Sequence, residues 1–414
     1  MPRDKGIDHT LEVLLKEGYE YILNKREELD SNVFDTTLLG ETTICLSGKD
    51  EAALFYDNDK FKRDGAMPNR VLNTLFGQGG VQTLDGVAHD HRKQMFMPLL
   101  SQEVIQELHD IAAEQWSLAI DKWQKEEQIV LYEEVQEILT RMMSKWVGIP
   151  VEDADFPDLA QDLTNMFEAA SKVGPAHHRG KKSREEREAW LTEIVKSVRN
   201  KSIDVPENKA LYQFVWHKDL DGNLLPDETV AVELLNLLRP MVAVAVYINF
   251  VALALHDFPV QKEKLQQGGD VYAELFAQEV RRYYPFFPFA GARVKKDFIW
   301  EGYQFKENTL TLLDLYGTNH DKTLWNEPFE FHPERFQEQT DKVDNLIPQG
   351  GGDYLTGHRC PGEFATIEMM KIAADFLANK IDYDLPKQDL TYSMTEMPSM
   401  PKDKMILENV RWKV

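Results

Sequence analysis

The residues with the clearest chemical use are Gln349-Gly350-Gly351-Gly352-Asp353-Tyr354-Leu355-Thr356-Gly357-His358-Arg359-Cys360-Pro361-Gly362-Glu363. A glycine run opens a loop, one cysteine sits beside a basic pair, and the run from Glu363 to Met370 is apolar every three or four residues. That period predicts a helix starting just past the cysteine. Cys360 is then expected where helical N–H groups point outward and favour an anion. His358 and Arg359 are expected to add positive charge, and both effects lower a thiol pKa. A stabilised thiolate suits a soft iron ligand. The alternatives are weaker. A buried spectator cysteine needs neither a glycine-rich loop nor two cations, and a nucleophile needs a paired base, which is not evident nearby. A zinc site needs further ligands at short spacing, whereas Cys45 is far away in sequence.

A second chemical feature is Glu233-Leu234-Leu235-Asn236-Leu237-Leu238-Arg239-Pro240-Met241-Val242-Ala243. An arginine in an apolar helix is costly to bury without a counter-charge, and Pro240 interrupts helical hydrogen bonding beside it. One reading is a structural ion pair at a kink, with Glu233 as partner. The other is a site for a substrate carboxylate, which a guanidinium pairs bidentately. A third feature is Glu279-Val280-Arg281-Arg282, with Glu279 and Arg282 on one helix face, followed by Pro333-Glu334-Arg335-Phe336. Alone, such a Glu–Arg pair is usually a surface salt bridge.

The order matters: E-x-x-R, then P-E-R-F, then a cysteine loop opening a helix. In this the sequence resembles the cytochrome P-450 superfamily, the haem-thiolate oxygenases. The resemblance implies a mainly α fold with a small β-rich part, at about residues 30–65 and 286–315 plus the C-terminal tail, in one catalytic domain over 1–414. It implies haem b with iron ligated by Cys360, and a buried ionic triad of Glu279, Arg282 and Arg335 that shapes the cysteine loop. Two departures inform. Asp353 stands where the usual loop carries Phe, and Arg239 and Pro240 replace the acid–alcohol pair that delivers protons to bound dioxygen.

The R-P pair, with the G-G-G and G-H-R-C-P-G-E runs, resembles the bacterial fatty-acid peroxygenase branch nearly end to end, including Tyr283-Tyr284-Pro285-Phe286 and Leu315-Tyr316-Gly317-Thr318-Asn319-His320-Asp321. That branch implies a fatty acid and hydrogen peroxide as reactants, with oxygen inserted at Cα or Cβ and no redox partner. Arg239 would hold the substrate carboxylate, which itself serves as general acid and base; Pro240 and Gln82 complete the expected catalytic set. Gln82 matches a position facing the substrate, where Gln goes with hydroxylation and His with decarboxylation to terminal alkenes. His89 and Arg92 match a helix that contacts the haem propionates; Arg63 and His358 are further candidates there. Met67, Leu75, Phe76, Phe167, Ala243, Phe286 and Phe287 are expected around the acyl chain, though each could equally be core. Decarboxylation is the first alternative. A dioxygen-using monooxygenase comes next, and a non-catalytic haem or fatty-acid sensor last, since no spare segment is evident for an output domain.

The elements that must position these groups read as mainly helical. Helices are expected over His9–Leu29, Asp50–Tyr56, Pro68–Leu75, Val87–Leu99, from Ser101 to Gln124, Leu131–Trp146, Phe156–Ala170, Ser183–Lys201, Pro226–Leu255 and Val271–Tyr284. A polar loop, Gly174–Lys182, should join the middle pair. Short strands are expected at Phe34–Leu39, Thr42–Leu46, Val294–Trp300, Tyr303–Lys306 and Thr309–Leu315, with strands and turns over Tyr392–Val414. No βαβ alternation appears, which excludes a Rossmann unit. The balance of 47 basic and 70 acidic residues, a net charge of −23, argues against nucleic acid or an anionic membrane as partner. Two cysteines leave no disulfide framework and suit a reducing cytoplasm, and the resemblance implies a bacterial one. The N-terminus lacks a signal-like apolar stretch, and the greasy run Met241–Leu255 is expected as a buried helix.

Overall fold

The most apolar stretch forms the helix Asp227–Asp257, 31 residues long. In this computed structural model, which describes residues 1–338 and 345–413, that helix is the axis of the core. Every residue from Val230 to Leu255 is buried except Pro240. Pro240 does not end the helix, because its neighbours on all sides hold the chain in register. By length and composition this helix could cross a membrane, but 94% of its apolar window is buried inside the protein, so it is a core helix. Around it pack Leu131–Val147, Phe156–Glu168, Pro175–Arg199, Pro259–Tyr283 and Glu363–Asp375.

The β structure is small, as expected. Strands β1 (Val33–Leu38), β2 (Glu41–Leu46), β3 (Phe61–Lys62), β5 (Phe289–Val294) and β8 (Leu310–Asp314) form one sheet in the order β1-β2-β8-β5-β3, in which only β2 and β8 run parallel. Strand β4 (Gln128–Val130) joins β10 (Ile406–Trp412) and β9 (Ile381–Asp384), and β6 (Phe298–Trp300) pairs with β7 (Tyr303–Phe305). The expected single strand Val294–Trp300 is thus two strands in different sheets.

Several expected boundaries move, each for a physical reason. The helix expected over His9–Leu29 breaks at Gly18, which has φ +54° and lies so close to Met394 that a Cβ would sit 1.8 Å from its carbonyl oxygen. The expected polar loop Gly174–Lys182 is mostly helix, because Pro175 at the first turn starts a helix that runs to Arg199. The helix expected from Val271 is preceded by another, joined at Gly269 with φ +58°. The helix Gly86–Lys93 stops earlier than expected, and Ala210–Val215 and β4 had no clear period. Ser101 does cap Gln102–Trp123, its Oγ accepting from the Val104 N–H.

His320, 2% exposed, has its Nδ1 2.9 Å from the Tyr316 carbonyl oxygen and its ring stacked on Tyr316. Burial, then the charge of Arg282, push its pKa from 6.5 down to about 3. The unfolded chain therefore binds an extra proton across that window, and stability present above the ordinary value is lost as pH falls through it. Asp314, which burial pushes up to about 7, acts in the opposite sense: its contribution is present at acid pH and lost as pH rises through about 7. His320→Gln is expected to reduce the loss of stability between about pH 6.5 and pH 5 by about 2 kcal/mol. Urea midpoints at the two pH values measure it, and an unchanged pH slope defeats the assignment.

Candidate active site

The helix Glu363–Asp375 begins just after the cysteine, as its period predicts. The Cys360 N–H donates to the Gln349 carbonyl at 3.3 Å. The Gln349 side chain ties the loop together: Nε2 lies 3.8 Å from Cys360 Sγ and 3.2 Å from Thr366 Oγ1, while Oε1 accepts from Arg281 Nε at 3.1 Å. Gly350 and Gly352 have φ of +90° and +77°, and a Cβ on either would lie within 2.8 Å of Tyr56, so the glycine run lets the loop press onto that ring. Asp353, where the resemblance led one to look for Phe, caps the turn by accepting from the backbone N–H groups of Leu355 and Thr356 at 2.9 and 2.6 Å.

The charge around the thiol differs from expectation. Burial pushes the Cys360 thiol up, and the Glu363 carboxylate adds to the rise; the Gly362 N–H, Arg281 and Lys93 oppose it. His358 supplies no charge at neutral pH, because burial holds its pKa down to about 4. Arg359 pairs with Glu363 at 2.7 Å, as Arg281 does. The cations that oppose the rise at the thiol include Arg281 and Lys93, the latter with its Nζ donating to the carbonyls of Gly357 and Arg359. Neither was singled out in the sequence, although one adjoins the E-x-x-R arginine and the other follows Arg92.

A second cluster lies beside this loop. Arg63 is 7% exposed, its guanidinium 4.5 Å from the Phe55 ring, with Nη2 on the Phe55 carbonyl and Nη1 without a partner. The rings of His89 and His358 stand 3.9 Å apart, and Asp85 lies 3.7 Å from His358 Nε2 while accepting from the Arg63 and Asp64 N–H groups. Arg92, also in the expected propionate set, meets a carboxylate of the protein itself. Its Nη1 meets Glu233 Oε1 at 2.7 Å, because a carboxylate buried at 0% exposure in the central helix needs a counter-charge.

That pair leaves Arg239 without one. Glu233 is bonded to Arg92 and Asn236, so the structural ion pair considered for Arg239 does not form. Arg239 is 4% exposed, its Nε is buried with no hydrogen bond, and it has no ion-pair partner among the described residues. Its guanidinium lies 6.0 Å from the Phe76 ring. Burial and the like charge of Arg184 pull its pKa down to about 9, which leaves it charged at neutral pH. Gln82 adjoins the same helix, Oε1 accepting from Asn236 Nδ2 at 3.2 Å.

The cytochrome P450 family model matches residues 271–400. Two curated relatives, the flavonoid-6-hydroxylase of Ocimum basilicum and the strychnine-10-hydroxylase of Strychnos nux-vomica, are 28% and 29% identical over 33% and 36% of this chain, and these matches span only 27% and 29% of those proteins. Solved structures match throughout. Cytochrome P450EX alpha (CYP152N1) with myristic acid is 46% identical, covers 100% of this chain and 99% of its own, and superposes with a TM-score of 0.96. Cytochrome P450SP alpha (CYP152B1) with (R)-ibuprofen is 44% identical over 98% and 99% of the two chains, and ligand-free cytochrome P450 OleT is 37% identical over 100% and 99%, each with a TM-score of 0.96. The chain is a cytochrome P450 of the CYP152 family.

Cytochromes P450 bind haem b through a cysteine thiolate, and the residues of this P450 fit that group. Of its two cysteines, Cys45 is fully buried in strand β2 and Cys360 stands at the head of a helix. Arg63 Nη1, buried and unpartnered beside His89 and His358, offers a donor to a propionate. Glu279, Arg282 and Arg335 come together: Arg282 Nε and Arg335 Nε meet the Glu279 carboxylate at 2.8 and 3.2 Å. Leu75, Phe167 and Ala243 are buried in the main core, and Met67 packs its Cε against Gly291. Phe286 and Phe287, expected along the acyl chain, lie side by side with ring centroids 4.7 Å apart. Phe286 stacks on Tyr247 at 4.2 Å, Phe287 is 39% exposed, and the gap they border with Arg281 and Tyr316 holds only about 10 Å³.

Proposed function

We propose that this P450 hydroxylates fatty acids at Cα or Cβ with hydrogen peroxide. The observation that carries the reading is Arg239: a guanidinium buried in an apolar helix, with no carboxylate partner among the described residues, the Phe76 ring 6.0 Å away, and Gln82 bonded to Asn236 one turn back along the helix. Such a group calls for an anion from outside the protein, and a fatty acid brings one attached to an apolar chain. Haem held by Cys360 supplies the oxidising chemistry when bound. Arg239 fixes the carboxylate, so that only the adjoining carbons come within reach. The carboxylate takes a proton from one peroxide oxygen and returns it to the other as water leaves; the remaining oxygen goes into a C–H bond. The central helix offers Arg239-Pro240 where an acid–alcohol pair would serve dioxygen, and this favours peroxide over a redox partner. Myristic acid and ibuprofen in the neighbouring structures, both carboxylic acids, support the substrate class. A reducing cytoplasmic setting accords with two cysteines that are not paired.

The test is one incubation of haem-loaded protein with myristic acid and hydrogen peroxide, without NADPH or reductase. An α- or β-hydroxy acid supports the proposal. A dominant terminal alkene keeps the site but changes the product. No product from protein with an intact haem-thiolate spectrum overturns it in favour of dioxygen with redox partners, or of a sensor. Gln at position 82 favours hydroxylation. Gln82→His is expected to raise the alkene-to-hydroxy-acid ratio several-fold, read by mass spectrometry of the products; an unchanged ratio removes Gln82 from the account.

A further inference from the structure

We propose that Asn236 is a positioning residue that fixes which way the Gln82 carboxamide faces, and thereby biases the partition between hydroxylation and decarboxylation. The second half rests on the function proposed above; the first does not.

The direction follows from what each group can donate or accept. Arg92 only donates, and its Nη1 meets Glu233 Oε1 at 2.7 Å. Burial pushes the Glu233 carboxyl up while Arg92 and Asn236 oppose the rise, and both of its oxygens stand as acceptors in this row, Oε1 toward Arg92 and Oε2 toward Asn236. Asn236 must therefore turn its NH₂ toward Glu233, and its Nδ2 does lie 3.2 Å from Glu233 Oε2. An amide nitrogen carries a second hydrogen, and the same Nδ2 lies 3.2 Å from Gln82 Oε1. The Gln82 oxygen is thus taken, and its NH₂ is turned away from Asn236 and left to donate. The charge of Arg92 sets the polarity of the whole row, and Gln82 ends it as a donor rather than an acceptor.

Two further observations place the row at the site. Asn236 and Arg239 are three residues apart on one helix and share a face. Asn236 Oδ1 and Arg239 Nε are both buried without a partner, an acceptor and a donor one turn apart. Gly80 makes the approach possible: a Cβ there would lie 2.7 Å from Asn236 Nδ2 and 3.1 Å from Gln82 Oε1. Its φ of −69° is open to any residue, so the glycine serves space alone. A donor held toward a bound carboxylate stabilises its charge, which opposes its departure as carbon dioxide.

The test is a double-mutant cycle on the haem-loaded protein with Asn236→Leu, Gln82→Leu and the pair together. It is read as the myristate Kd by calorimetry and as the alkene-to-hydroxy-acid ratio. Asn236→Leu is expected to weaken myristate binding about 3- to 10-fold, the equivalent of one hydrogen bond, and to raise the alkene share. In the Gln82→Leu background it should do neither. Effects that simply add would overturn the relay. Asn236→Leu also takes a partner from Glu233, so Gly80→Ala is the second probe. It crowds the Asn236–Gln82 contact while keeping the Asn236 carboxamide as a partner for Glu233, and is expected to act in the same direction with the same dependence on Gln82. A wild-type protein that binds myristate yet forms no product would fail the proposed function, while the Kd cycle would still decide the relay.

Discussion

Arg239→Ala is expected to cut fatty-acid turnover by at least about 100-fold while haem remains bound. Removing one partner of a buried, hydrogen-bonded charge pair costs about 2–5 kcal/mol, and here the missing partner is also the anchor that decides which carbons react. The same position makes a prediction of opposite sign for stability. Without substrate the guanidinium is buried, unpaired and repelled by Arg184. An apolar side chain of similar length should therefore be better tolerated: Arg239→Met is expected to stabilise the substrate-free protein by about 1–2 kcal/mol. Myristic acid should raise the Tm of the wild type and leave that of the variant unchanged, since only the former binds it tightly. Thermal melts with and without fatty acid, beside turnover measurements, check both signs. Turnover at the wild-type level, or a lower Tm for the methionine variant, would count against an anion site at Arg239.

The second large effect is structural. Glu279→Ala is expected to destabilise the protein by about 3–5 kcal/mol, enough to abolish most soluble, haem-loaded protein at growth temperature. Glu279 is fully buried and takes both Arg282 and Arg335, together with the His332 N–H at 2.7 Å. The remaining donors of Arg282 are bound to the carbonyls of Asn319, Pro328 and Glu330, and those of Arg335 to Asn326, Glu327 and Glu330. One carboxylate thus holds two guanidinium groups that staple the 319–335 segment to the helix Pro259–Tyr283. Arg282 is fully buried and Arg335 is not, so Arg282→Ala should be the more damaging of the two arginine substitutions. Denaturant midpoints rank them. A Glu279→Ala protein with wild-type stability would remove the triad from the list of structural determinants.

Much of the site was legible in the chain because its signals are local or ordered. The loop from Gln349 to Glu363, the helix after it, the Arg239-Pro240 pair in an apolar run and the order of E-x-x-R before P-E-R-F all lie within reach of short-range reading. The pairing of Glu233 with Arg239 was left open in the sequence; the two are six residues apart, about 120° around a helix, and Glu233 turns to Arg92 instead.

What the sequence by itself determined is which chemistry is present: a cysteine at a helix start, an arginine where the superfamily keeps an acid and an alcohol, and enough apolar period to bury both. Only the tertiary structure decided who pairs with whom and which groups keep their charge. Arg92 reaches Glu233 across 141 positions of chain, freeing Arg239; burial turns His358 neutral and brings Arg281 and Lys93 to act on Cys360. Gly18 breaks a helix because Met394 occupies the space beside it. Partner choice and desolvation depend on what packs against a residue, and no local pattern of residue types carries that.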